Sequence, residues 1–316
     1  MYRASTGVAL FVVVLIVIAA PSGDASSSAG MNGQISYDRA DPQSPDDTFV
    51  YTANSDGSHA RRLTAKHTCC PSWSHDGRKL TIAAAISGDR IGTATVAADG
   101  RSYTVLRIKD PTLSVAGVAW SPDDTKLACE SWDDSHPSRN GVYTLSSSDG
   151  SALKRLTSNA GGSDLPGAYS PDGKRVVFSR FDKEGRSLGL FVVNTDGSRQ
   201  HRVTPAGVIM QEGNTGDWSP RGNDIVFSRK PSPTGLGSIW VIRADGSHLR
   251  QVKVKGLNCG GGFGCHGPRW SPDGKKIIFA ANSAAGTNIY VADADGSGLA
   301  QITHDGRSDD PSWGTH

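Results

Sequence analysis

One unit recurs along this sequence and limits the possible folds more than any other feature. It reads aromatic, Ser-Pro-Asp-Gly, then an apolar run. Copies stand as SWSHDGRKLTI at 72–82, AWSPDDTKLAC at 119–129, AYSPDGKRVVF at 168–178, DWSPRGNDIVF at 217–227 and RWSPDGKKIIF at 269–279, and a truncated PSWGTH ends the chain. The unit aromatics Trp73, Trp120, Tyr169, Trp218, Trp270 and Trp313 lie 47, 49, 49, 52 and 43 residues apart. A second marker, the Asp-Gly pair at Asp56, Asp99, Asp149, Asp196, Asp245 and Asp295, keeps intervals of 43, 50, 47, 49 and 50. Two independent markers therefore give six copies at one period. Repeats of about 40–50 residues made of short β segments are the pattern of propeller blades.

The copy at 267–304 displays the strands. GPRWS reads as the first, KKIIFAA as the second, TNIYVADA as the third and GLAQITH as the fourth. The intervening PDG is a turn: Pro presets φ, Asp bonds neighbouring backbone N–H groups and Gly accepts positive φ. Asp295-Gly296 is a hairpin signal. The two ends of the chain are complementary. PSWGTH supplies a first strand without a second, whereas GQISYDR at 33–39, DTFVYTANSDG and SHARRLT supply a second, third and fourth without a first. The sequence thus predicts an all-β fold: a six-bladed β-propeller of four-stranded antiparallel blades, closed when the C-terminal strand completes the N-terminal blade. Closure removes exposed sheet edges. Five of the seven tryptophans occupy the unit position, which assigns them to packing between blades.

The first residues are excluded from the fold. Arg3 precedes an apolar run from Val8 to Ala20, followed by Pro21, Ser22 and Gly23-Asp24-Ala25. This is the pattern of a secretory signal peptide, and the run falls short of the roughly 20 residues that a spanning helix requires. An uncleaved N-terminal anchor is the alternative. The expected organisation is a signal peptide over 1–25, a linker over 26–32 and a propeller over 33–316, in a periplasmic or secreted protein. Thirty-three basic and 31 acidic residues give a formal net charge of +2 with no basic stripe, so no nucleic-acid partner is expected. No membrane contact beyond the leader is expected either, and the protein is read as a monomer.

Five cysteines in an exported chain point to disulfides. NCGGGFGC places Cys259 and Cys265 at the ends of a glycine-rich loop that can fold back and join them. Cys69 and Cys70 are adjacent; a vicinal disulfide is the strained alternative to two unbridged residues. Cys129 stands where other units have Phe178, Phe227 and Phe279, and reads as a buried free thiol. No cysteine spacing predicts zinc or haem, and no cofactor is expected.

The run WSPDGKKIIF…NIYVADADGSGLAQIT resembles the WD40-like repeat of bacterial TolB-type propellers, and the likeness extends over 33–316. It implies a propeller with a binding face and no catalytic residue. TolB-type proteins bind protein partners at the channel face in the periplasm, and they carry an N-terminal α/β domain for which the 26–32 linker leaves no room. Similar propellers precede serine peptidase domains, and this chain contains G-x-S-x-G as GRSLG at 185–189. A nucleophile elbow needs a strand before it and a helix after it. Here the motif joins RVVFSRF to LGLFVVNT, so it is a hairpin loop. The six Asp-Gly aspartates fall on successive blades and cannot converge on one calcium ion, which takes about six to eight oxygens.

The loops entering the first strands diverge most: AKHTCCP, SNAGGSDLPG, PAGVIMQEGNTG, KGLNCGGGFGCHGP and HDGRSDDP. In a propeller these loops rim the central channel. Four residues before each aromatic stand Cys69, Ala116, Leu165, Asn214, His266 and Asp309, with His67, Asp164, Glu212, Asp217 and Asp310 close by. His67, Asp164, Asn214, Asp217, His266, Asp309 and Asp310 are the candidate binding residues; no metal or catalytic set is assigned. The leading expectation is a non-catalytic module that binds a protein or peptide at the channel mouth. A carbohydrate-active enzyme such as a polysaccharide lyase, acting on a small sugar there, is the competing expectation.

Overall fold

The computed structural model of the protein describes residues 30–316, except 46, 66, 67, 88, 89, 212, 260, 261 and 263. The leader therefore lies outside the described residues, as do His67 and Glu212. Six antiparallel sheets form the blades of a closed propeller. Blade 1 combines Ser308–Thr315 with Asn32–Ala40, Thr48–Ala53 and Arg61–Arg62. The innermost strands of blades 2, 3, 4 and 6 are Thr68–Trp73, Ser114–Trp120, Ser163–Tyr169 and Cys265–Trp270. Blade 5 is irregular: its inner strand is split into Ile209–Met210 and Asp217–Trp218. Closure is antiparallel, with Ile35 opposite Trp313, Ser36 opposite Ser312 and Asp38 opposite Asp309.

The repeated residues build one turn. Ser271 Oγ donates to Asp273 Oδ1 at 2.6 Å and accepts from Lys276 N–H at 2.9 Å, while Asp273 Oδ1 also accepts from Lys275 N–H. Ser74 with Asp76, Ser121 with Asp123 and Ser170 with Asp172 repeat the arrangement. Gly274 has φ +64°, and Asp124, which replaces that glycine in its unit, is held at φ +57°. At the third-to-fourth strand turn, Asp56, Asp99, Asp149, Asp196, Asp245 and Asp295 each accept the N–H two residues on, at 2.8–3.0 Å. These carboxylates serve as turn formers.

The unit aromatics are 4–9% exposed. Hydrophobic clusters span neighbouring blades: Val177, Leu190 and Val192 of blade 4 pack with Trp218, Ile225 and Phe227 of blade 5. Ile278 and Ile289 of blade 6 pack with Ile35 and Trp313 of blade 1 across the seam. Phe178, Phe227 and Phe279 are fully buried, each stabilising the fold by roughly 1.5–3 kcal/mol. Cys129 occupies their position, is also fully buried and is unbridged; burial pushes its thiol up.

Gly185–Gly189 joins Arg175–Phe181 to Ser187–Asn194 within blade 4. The Ser187 hydroxyl accepts Met210 N–H at 2.9 Å, so it fastens blade 4 to blade 5. Cys259 and Cys265 are joined in the structure. Cys69 and Cys70 are bonded to each other, against the default reading of an unbridged pair.

Candidate functional site

The channel has two unlike ends. At the Ser-Pro-Asp-Gly end, the six aromatics and Pro122, Pro171, Pro220 and Pro272 line a cavity of about 390 Å³. The repeated residues make this end nearly uniform. The indole N–H groups depart from that uniformity: Trp120 Nε1 donates to Ser72 O of the preceding blade at 2.9 Å, whereas Trp218 Nε1 donates to Gly222 O of its own turn at 2.8 Å.

The other end is built by the divergent loops. A smaller cavity of about 100 Å³ is lined there by Cys70, Asn214, Gly267, Arg269 and Asp310 among others, and Ser72 and Arg269 border both cavities. Side chains tie blades together here. Asn214 Oδ1 accepts Gly267 N–H, and Asp217 Oδ2 accepts Trp270 N–H at 2.7 Å, tying blade 5 to blade 6. Asp38 Oδ2 accepts Cys70 N–H at 2.9 Å, tying blade 1 to blade 2. His266 Nε2 lies 2.9 Å from Asp309 Oδ1, and its Nδ1 lies 3.3 Å from Gly264 O. Arg269 Nη1 donates to Gly167 O at 3.3 Å and stands 4.0 Å from Asp217 Oδ1. A Cβ at Gly167 would come within 1.8 Å of Gly216 O; only glycine fits where these inner strands meet.

Burial without full pairing shapes the electrostatics. Asp310 is exposed to the channel, yet the surrounding protein desolvates its carboxyl and pushes it up to about 6, reinforced by Asp309 and opposed by His266 and Arg269. Asp38 is held well above the carboxylate range, first by burial and then by Asp310. Burial also raises Asp217, with Arg269 opposing. For His266, burial lowers the imidazole, but the hydrogen bond and charge of Asp309 carry it above its ordinary value.

Of the residues expected from the sequence, Asn214, Asp217, His266, Asp309 and Asp310 stand on or beside the inner strands of consecutive blades 5, 6 and 1. Asp164 does not join them. Arg180 Nε and Nη2 bind its two oxygens at 2.7 and 2.6 Å, and Thr157 and Asn159 complete its bonds. It is 1% exposed and fixes its own loop. The sequence also places His266 on an exposed rim; it is 4% exposed, because its imidazole is held between Gly264 O and the Asp309 carboxylate of the closing strand.

Two acidic residues escaped the sequence reading. Asp38 pairs with Asp309, and Glu130 pairs with Ala116. The corresponding second-strand positions in blades 2, 4 and 6 hold Ala83, Ser179 and Ala280. Aligning the second strands of the units would have exposed both as acids at a small-residue position. Burial first, then Asp164, pushes Glu130 up to about 7.

Six antiparallel blades closed by the chain's own C-terminal strand, with a uniform end and a variable polar end, define a closed six-bladed propeller. The chain belongs to the TolB beta propeller domain family, whose model matches residues 34–316. Solved structures share the fold. TolB from Acinetobacter baumannii is 19% identical with a TM-score of 0.70, the match covering 89% of this chain and 66% of that one. The putative TolB from Agrobacterium tumefaciens is 20% identical with a TM-score of 0.60, covering 86% and 89%. Oligogalacturonate lyase from Vibrio parahaemolyticus is 16% identical with a TM-score of 0.53, covering 83% and 75%. This chain thus spans about two thirds of the Acinetobacter protein.

Proposed function

We propose that the protein is an exported, non-catalytic module that binds a protein or peptide partner at the channel mouth. One observation carries this reading. The divergent loops bring Asn214, His266, Asp309 and Asp310 to one end of the channel, while the repeated turns, with Asp217 beside them, line the cavity at the other. Blade strands are committed to packing, so individuality resides in the connecting loops. The mouth presents the accessible carboxylates Asp309 and Asp310 beside Arg269, with Asp38 and His266 buried behind them. Such a surface favours a partner segment that presents cationic or hydrogen-bond-donating groups. The leader pattern at 1–25 supports export to the periplasm or beyond, and the TolB family membership fits that compartment.

The lyase reading has less support. A proton-abstracting or metal-ligating imidazole needs a ring nitrogen facing substrate, and both His266 nitrogens are engaged, with Asp309 and Gly264. Capture from envelope extract with the mature protein, followed by titration of the captured partner, tests the proposal. Asp310→Asn, which leaves the His266–Asp309 bond in place, should weaken binding at least tenfold while thermal stability stays near that of the parent. Unchanged binding, together with loss on substitution of the outer turn residues Asp196 and Asp245, would move the functional face to the rim of the disk.

A further inference from the structure

The vicinal pair sits beside a carboxylate that is not fully used. Asp38 is 4% exposed. Its Oδ2 holds the Cys70 amide, while its Oδ1 is buried with no hydrogen-bond partner. A carboxylate oxygen of Asp38 and the sulfurs of Cys69 and Cys70 all lie within 4.8 Å of one another. Cys69 is half-buried and Cys70 is exposed, and Cys70 borders the small cavity at the mouth. Solutes in the channel therefore reach the pair.

We propose that Cys69, Cys70 and Asp38 form a reduction-gated site for a thiophilic divalent cation of the zinc and cadmium class. This goes beyond the binding module proposed above and stands without it. With the disulfide closed, neither sulfur is a thiolate and the site offers one carboxylate. A dithiol reductant opens it by exchange: the Cys69–Cys70 bond breaks, both residues become thiols, and the reductant leaves as its own disulfide. The cation then displaces one proton from each thiol and any proton that Asp38 carries, and is held by two thiolates and a carboxylate oxygen. Tetrahedral zinc has ligand bonds of about 2.0–2.3 Å, which puts ligand atoms about 3.5–3.8 Å apart. Once reduction frees the two sulfurs to part from bonding distance to that spacing, the Asp38 oxygen already lies within 4.8 Å of both, and the open side toward the channel leaves room for a fourth, exogenous ligand.

Two further features favour the site. Asp309 and Asp310 add negative potential at Asp38, which attracts a cation. Cys70 is held at φ +63°, a conformation that side-chain-bearing residues rarely adopt, and the bond from its amide to Asp38 keeps that backbone against the carboxylate. Ligand geometry is thus supplied by the fold on both strands rather than by a mobile loop.

The test is cadmium titration of the full-length mature protein, oxidised or reduced with a phosphine and desalted under argon, read by thiolate-to-cadmium charge-transfer absorbance. Reduced protein should bind one equivalent, and oxidised protein at least a hundredfold more weakly. Asp38→Asn should weaken the reduced site at least tenfold. Because reduction also opens Cys259–Cys265, alkylation with and without cadmium, mapped by mass spectrometry, locates the ligands in the unaltered sequence. Protection of Cys69 and Cys70 supports the site. Protection of Cys259 and Cys265 instead, equal binding before and after reduction, or unchanged affinity in Asp38→Asn overturns it.

Discussion

His266 Nε2 and Asp309 Oδ1 stand 2.9 Å apart, and the bond joins blade 6 to the strand that closes the ring. His266 is buried and Asp309 is 39% exposed at its side chain, so the pair is an inter-blade tie that one partner shares with solvent. The folded imidazole titrates above its ordinary value of 6.5. A group raised in the folded state adds stability that is fully present below its unfolded pKa and is lost as pH rises through the folded one. Melting temperature should therefore fall as pH rises above 6.5, and Asp309→Asn should flatten that part of the profile. A parallel decline in parent and variant would refute the assignment.

Glu130 yields a second pH effect through a different blade. Its carboxyl is pushed from 4.5 up to about 7 by burial and then by Asp164, so the folded state binds more protons than the unfolded chain between those values. Stability should fall as pH rises from about 4.5 to 7 on this account. Glu130→Gln keeps the shape and removes the charge; it should stabilise the protein by about 1–3 kcal/mol at pH 8 and change little at pH 4. Urea denaturation at the two pH values measures this. Destabilisation at pH 8 would show that the ionised carboxylate has an effective partner.

The closing strand should be needed for stability throughout the ring. Trp313 is 9% exposed and packs with Ile35, Ile278 and Ile289. Deleting 311–316 removes this indole and half the strand beside Asn32–Ala40, so a loss of at least about 3–5 kcal/mol is expected, the scale of a buried Trp→Ala change. Thermal or urea unfolding checks it, and an unchanged midpoint would contradict closure at this seam.

Cys259 and Cys265 should be joined in the exported protein. Closing so short a loop adds about 2 kcal/mol in the chain-entropy account, and Cys265 begins the His266 strand. Peptide mapping without reduction should recover the two cysteines linked; free thiols at both positions would exclude the bond. Where they are linked, reduction should lower the melting temperature.

Local chemistry made the blade legible in the sequence. Ser271, Pro272, Asp273 and Gly274 specify a turn by hydrogen bonds and φ preferences within five residues, and so do their counterparts. The period of Trp73 to Trp313 counts the blades, and the half-units at 33–64 and 311–316 disclose how the ring closes. These features are short-range or repeated, so one sequence contains them outright. The mouth is different, because its contacts join residues far apart in the chain. Only the tertiary structure sets Asp38 against Cys69 and Cys70, or buries His266 against Asp309. Likewise only the fold spends Asp164 on Arg180 while leaving Asp310 at the channel. Inter-strand register and blade-to-blade packing decide which carboxylates are paired and which stay available, and neither is encoded in the spacing of the residues themselves.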